Sequence, residues 1–185
     1  MIKLNPEKFQ NLMAEKGYQV FENKLNIVGY RNRFGRPNSF DDTISIYLNN
    51  QIHWEEYHFA ATTMPGTPHL LKPVSVYGTA ILVPGQYLDS YKIGLHRGSY
   101  KALVQAKSVR VYRDNNKDTV YDKDERKVQV GMFGINIHKA SLKAQVVGAN
   151  SAGCQVIQKA ADYEQFLKIC LDVPQLTFSY TLVEL

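Results

Sequence analysis

Residues Thr43–Thr63 read TISIYLNNQIHWEEYHFAATT. Two runs rich in β-branched and aromatic residues, 43–49 and 53–63, flank a short polar turn with adjacent asparagines. Alternation in such runs is the mark of a strand with one covered face, so the stretch reads as two β-strands. Working outward, YQVFEN (18–23), LNIVGYRN (25–32), GTAILV (78–83), ALVQAKSVRVYRD (102–114), QVGMFGINIH (129–138) and LTFSYTLVEL (176–185) read the same way. Helical spacing occurs near each end. Asn5-Pro6 is a cap followed by proline at the first helical position, and Gly17 is a stop signal. Together they predict a helix over 6–16 with Phe9, Leu12 and Met13 as its apolar stripe. AADYEQFLKICLDV (160–173) predicts the second helix. The chain thus reads as one α+β domain, mostly β, spanning 1–185.

Composition narrows the partners. The 185 residues carry a net charge of +5, and 21% of them are charged. The basic residues are scattered, with no run of five or more, which argues against nucleic acid. The two cysteines make neither a disulfide framework nor a CxxC zinc pair. No apolar run is long enough to span a bilayer, so no integral membrane association is expected. The N-terminal stretch has no secretory h-region, so synthesis in the cytoplasm is expected. Nothing in the sequence bears on oligomeric state.

Chemistry concentrates in Gly134–Val156, GINIHKASLKAQVVGANSAGCQV. His138 ends a strand, and Cys154 follows small residues after a polar loop. A thiol acts through its thiolate, and a histidine within hydrogen-bond reach supplies the base. Gly153 and the small residues beside it leave room for substrate, and nearby backbone N–H groups suit a tetrahedral oxyanion. On spacing alone, one histidine and one cysteine sixteen residues apart favour a satisfied strand histidine and an inert buried cysteine.

The His138…Ser151-Ala152-Gly153-Cys154 pattern, with the upstream ATTMPGTPHLLKPVSVYGTAIL (61–82), resembles the L,D-transpeptidase catalytic-domain (YkuD-like) family. The resemblance covers about 55–185; residues 1–50 lie outside it. GTAILVPGQY and SAGCQV are also similar to phage-encoded proteins. The resemblance implies a mixed β sheet or barrel-like core with a helix after the catalytic cysteine. It implies Cys154 as nucleophile, His138 as base, Gly153 shaping the backbone around the oxyanion, and Ser151 shaping the pocket. The implied substrates are peptidoglycan stem peptides, with no cofactor required. Cys154 would attack the L-centre carbonyl at stem position three and expel D-alanine, forming a thioester. Hydrolysis would make the chain an endolysin-like L,D-peptidase, reaching the wall by holin-type release or by injection. Capture by an amine would make it a transpeptidase forming 3–3 cross-links. A catalytically silent phage structural or binding protein is the third expectation. Lys139 stands where the family often has glycine or serine, and Val156 where it often has arginine or asparagine.

Further residues are expected around this centre. His96, Tyr91, Lys139 and Gln155 are expected to touch substrate, and Met64–His69 and Tyr87–His96 are the places for a lid. His53 and Glu55 share one strand face and Glu56 and His58 the other, so these four do not converge on a metal. Asp114, Asn116, Asp118, Val120 (through its carbonyl), Asp122 and Glu125 fall at positions 1, 3, 5, 7, 9 and 12 of an EF-hand-type loop. Thr119 replaces the usual glycine at position 6. A structural calcium loop and a solvated hairpin loop are both open to this segment.

Overall fold

The computed structural model of the protein describes residues 1–185. In chain order the elements are α1 (Pro6–Glu15), β1 (Asn26–Arg31), β2 (Asp42–Asn49), β3 (Trp54–Thr62), α2 (Thr67–Leu71), β4 (Thr79–Leu82), β5 (Gly85–His96), β6 (Tyr100–Gln105), β7 (Val109–Asp114), β8 (Gln129–Gly131), β9 (Ile137–Lys139), β10 (Gln155–Ile157), α3 (Ala160–Asp172) and β11 (Phe178–Glu184). The chain is mostly β, with helices near both ends as the sequence predicts.

Eight strands close into a mixed barrel in the order β1-β11-β5-β6-β9-β10-β3-β2. β1–β11 and β9–β10 are parallel pairs, and the other pairs are antiparallel. The 43–63 stretch forms the longest regular ladder, from Asp42↔Ala61 to Asn49↔Trp54. β4, β7 and β8 make a separate three-stranded sheet.

Alternation sorts the side chains. From β1, β2 and β11, Ile27, Ile44, Ile46, Tyr180 and Leu182 join the main core, where Phe59, Tyr91, Leu103, Ile137 and Phe178 meet Tyr163, Phe166 and Cys170 of α3. The opposite faces present Val28, Tyr30, Tyr47 and Val183 to Phe9 and Met13 of α1. β1 is therefore buried on both faces. Asn5 caps α1 by accepting from the Lys8 amide at 2.9 Å, and Gly17 (φ 67°) ends it. Gly29 is inward-facing, and a Cβ there would stand 1.9 Å from the Tyr180 hydroxyl.

Several elements depart from the sequence reading. Residues 18–23 form no strand; the Gln19 backbone pairs with the Gln86 side chain instead. The 102–114 run is two strands in two sheets, broken where the Ala106 and Lys107 amides turn to Ser90 O. The 129–138 run also splits, into β8 and the start of β9. Tyr87–His96 is no lid but part of β5, a barrel wall strand. Met64–His69 contributes to α2, packed so tightly on the turn at Gly148–Asn150 that a Cβ on Gly66 would meet Gly148 O at 1.9 Å.

Candidate active site

The barrel wall is thinnest where β6 meets β9, through the single pair Leu103↔Ile137, and where β9 and β10 run three residues each. Ile137 and Ile157 turn into the core, so His138 turns outward, in the same row as Asn136. Val156 is the register partner of His138. Cys154, two residues before Val156, is thereby a diagonal neighbour of His138 on the adjacent strand line.

The turn into Cys154 is held by Ser151. Its hydroxyl donates to Cys154 O at 2.8 Å and accepts from the Gly153 amide at 3.1 Å. Gly153 has φ 127°, and a Cβ there would lie 2.4 Å from Ala80 O. Gly153→Ala is therefore expected to displace Cys154 and strain the turn, lowering both thiol reactivity and the melting temperature. Alkylation kinetics with thermal unfolding check this; unchanged values for both would contradict it. The Gly153 N–H is engaged by Ser151, whereas the Cys154 N–H has no acceptor in the chain and is the donor free for an oxyanion.

Hydrogen bonds assign the ring tautomers. His138 Nδ1 is 2.8 Å from Lys139 O, a pure acceptor, so Nδ1 carries the proton and Nε2 keeps its lone pair. The Tyr100 hydroxyl lies 3.3 Å from the same Nδ1. Asn136 Oδ1 accepts from the Gln105 amide, which aims its Nδ2 at His96 Nδ1, 3.1 Å away. His96 then carries its proton on Nε2. The two imidazoles stack with centroids 4.0 Å apart.

Burial, aided by His96 and Arg97, pushes the His138 pKa down to about 4, against the Lys139 carbonyl, which favours the charged ring. His96 is also lowered, by burial and then by Arg97. Burial raises the Cys154 thiol, opposed by the Asn136 backbone amide and by Arg97. Its S–H points to Gly134 O at 3.3 Å. At neutral pH the resting pair is a thiol and a neutral imidazole, with a base ready and no standing thiolate.

This has a consequence for stability. An unfolded histidine titrates near ~6.5, so between that pH and about 4 the unfolded chain binds a proton at residue 138 that the folded chain refuses. Stability is present above this window and falls as pH drops through it, by about 3 kcal/mol in total. Urea unfolding across the window is expected to show the loss, and His138→Gln to flatten it. Equal slopes for the two proteins would contradict the assignment.

The other expected site residues divide. His96 and Lys139 line a cavity of about 450 Å³ with His138. Tyr91 and Gln155 do not touch substrate: both are wholly buried, because alternation turns them into the barrel. Gln155 accepts there from the Tyr180 hydroxyl at 3.0 Å and donates to Gly153 O. Asn136 and Tyr100 are the residues the sequence reading missed. Their signals were position, two residues before His138 for Asn136 and opposite His96 across a hairpin for Tyr100.

The calcium ligand set is not assembled. The Asp118 carboxylate accepts from the Val120 amide and from Asn116 Nδ2, the Glu125 carboxylate accepts from the Tyr112 hydroxyl, and Asp114 Oδ2 accepts from the Asp122 amide. Nowhere do three His, Cys, Asp or Glu side chains stand together as a metal would need. His58 is held by Ser45 at 2.8 Å and faces Glu56 at 3.6 Å, apart from His53 as alternation demands. A cavity of about 650 Å³ beside the 115–129 loop has no cysteine, serine or histidine in its wall. No helix is long and apolar enough to cross a membrane. Compared with protein-family models, curated proteins and solved structures, the chain finds no match in any of the three.

Proposed function

We propose that the protein is a cysteine enzyme that cleaves peptidoglycan stem peptides through a thioester, as a YkuD-like L,D-peptidase would. The observation that carries the reading is the His138 tautomer: Nδ1–H is tied to Lys139 O, leaving the Nε2 lone pair free to act as a base on the strand next to the one that Cys154 leads into. As Sγ bonds to the substrate carbonyl carbon, the thiol proton moves to Nε2. The carbonyl oxygen becomes an oxyanion facing the free Cys154 amide. The C–N bond then breaks, and His138 returns the proton to the departing amine. Water attacks the thioester with the same assistance, releasing a carboxylate and restoring the thiol. Cys154 keeps part of its surface open, which gives water a path.

Incubation with soluble disaccharide-tetrapeptide and with peptidoglycan, followed by mass spectrometry, tests this. Loss of D-alanine or cut cross-links with the intact protein, and none with Cys154→Ala, is the expected result. New 3–3 linked dimers would make it a transpeptidase instead. The raised thiol pKa favours one other reading, a silent binding protein of the same fold. No product, together with a thiol inert to iodoacetamide, would decide for that.

A further inference from the structure

Two cavities meet at Arg97, whose charge acts on the Cys154 thiol. One, about 450 Å³, runs over His138 and Lys139; the other, about 250 Å³, lies beside Ala152, Gly78 and Phe133. Arg97 lines both, Arg113 lines the second, and neither cavity has an aspartate or glutamate in its wall. Arg31, Arg110 and Arg126 each have a carboxylate within 3.9 Å. Arg97 and Arg113 have none, and Arg97 makes no hydrogen bond within the chain.

The fold fixes the backbone of Arg97 and the guanidinium of Arg113. Arg97 sits in the tight turn between β5 and β6, where it and Gly98 take φ 49° and 70° and the Ser99 amide donates to His96 O at 2.9 Å. Arg113 donates through Nε to Gln129 Oε1 at 2.9 Å and through Nη1 to Gly78 O at 3.1 Å, with its plane 4.7 Å from the Phe133 ring centre. Its Nη2 is left without a partner. Arg113 is half-buried and Arg97 exposed; guanidiniums with free donors and no counter-charge favour an anion, best of all a planar carboxylate.

We propose that Arg97 and Arg113 form a carboxylate-binding subsite beside Cys154, selecting substrates with a free carboxylate close to the amide attacked. The peptide substrate rests on the function proposed above; the subsite itself does not. A stem peptide whose departing residue ends in a free α-carboxylate meets the requirement, and the same peptide capped as an amide does not.

Alkylation tests the subsite without any peptide. Iodoacetate and iodoacetamide both form an S–C bond at the thiolate and release iodide, and they differ by one negative charge. Both draw on the same thiolate fraction, so their rate ratio cancels any effect of Arg97 on the thiol pKa. The full chain is treated with each, and modification is read at Cys154 by peptide mass spectrometry, Cys170 being buried. The iodoacetate-to-iodoacetamide ratio is expected to exceed that of free cysteine by roughly tenfold. It should collapse in Arg97→Gln, recover in part in Arg97→Lys, and shrink in Arg113→Gln. A ratio equal to that of free cysteine, or one unmoved by Arg97→Gln, would overturn the subsite. In parallel, tetrapeptides ending in carboxylate or amide are compared. Turnover of both with no alkylation bias would keep the peptidase and remove the subsite. Bias without turnover of either would keep the subsite and remove the peptidase.

Discussion

His138→Gln is expected to lower acylation of Cys154 by about 10²–10⁴-fold, the range of a single positioned general base. The size follows from the resting state of the pair. Burial holds the thiol above its ordinary pKa, so little thiolate stands ready at neutral pH and the proton must leave during attack. In the proposed reaction His138 takes it, being neutral at any pH well above about 4. Glutamine can still donate an amide hydrogen toward Lys139 O but offers no basic nitrogen. The pH profile separates loss of a base from loss of shape. Under the proposed function the intact protein should lose activity on the acid side near pH 4, far below an ordinary histidine. The variant should instead rise tenfold per pH unit toward the raised thiol pKa. An intact enzyme with that same featureless rise would remove His138 from the chemistry.

Arg31→Ala is expected to cost about 3–5 kcal/mol of stability, as loss of one partner from a buried charged network does. Arg31 is 1% exposed, and its Nε and Nη2 donate to Thr63 Oγ1, Thr63 O and Leu82 O at 2.9–3.0 Å. Thr63 passes the link on: its amide and hydroxyl both donate to Asp42 Oδ2, while the Asn32 amide donates to Oδ1. One guanidinium thus joins β1, the end of β3 and β4, and steadies the carboxylate that begins β2. Removing it orphans two buried carbonyls and leaves Asp42 without its nearest cation. The urea midpoint should fall with little change in slope. Because the lost cation is one reason Asp42 is costly to keep charged in the variant, Arg31→Ala/Asp42→Asn should lose less than the sum of the single changes. Additivity would show that the two charges do not act as a unit.

The sequence was most informative where one local pattern decides an element. α1 is bounded by Asn5-Pro6 and Gly17, and the 43–63 hairpin declares itself by alternation. β5 was missed because Asp89 takes φ 50° and the pairing with β11 slips between Phe178 and Tyr180, which breaks the period of two. Residues 18–23 have a strand-like composition, but the barrel closes through β11 and leaves them no edge to join. His138 and Cys154 stood out in the sequence because both are reactive types near one glycine turn, and the structure sets them on neighbouring strand lines. Tyr91 and Gln155 were misplaced because sequence adjacency to a site does not say which face of a strand a residue takes. Asn136, which aligns His96, works through a hydrogen bond across forty residues. No local pattern encodes that.

β11 is the last strand of the chain, yet it lies between β1 and β5 in the barrel. A nascent chain cannot complete the wall until this segment has left the ribosome, so closure waits on contacts between distant parts of the chain and is slow, in about the millisecond-to-second range. The same strand supplies the Tyr180 hydroxyl that braces Gln155, the neighbour of Cys154. The turn that carries the thiol therefore gains this brace only once β11 has taken its place in the wall.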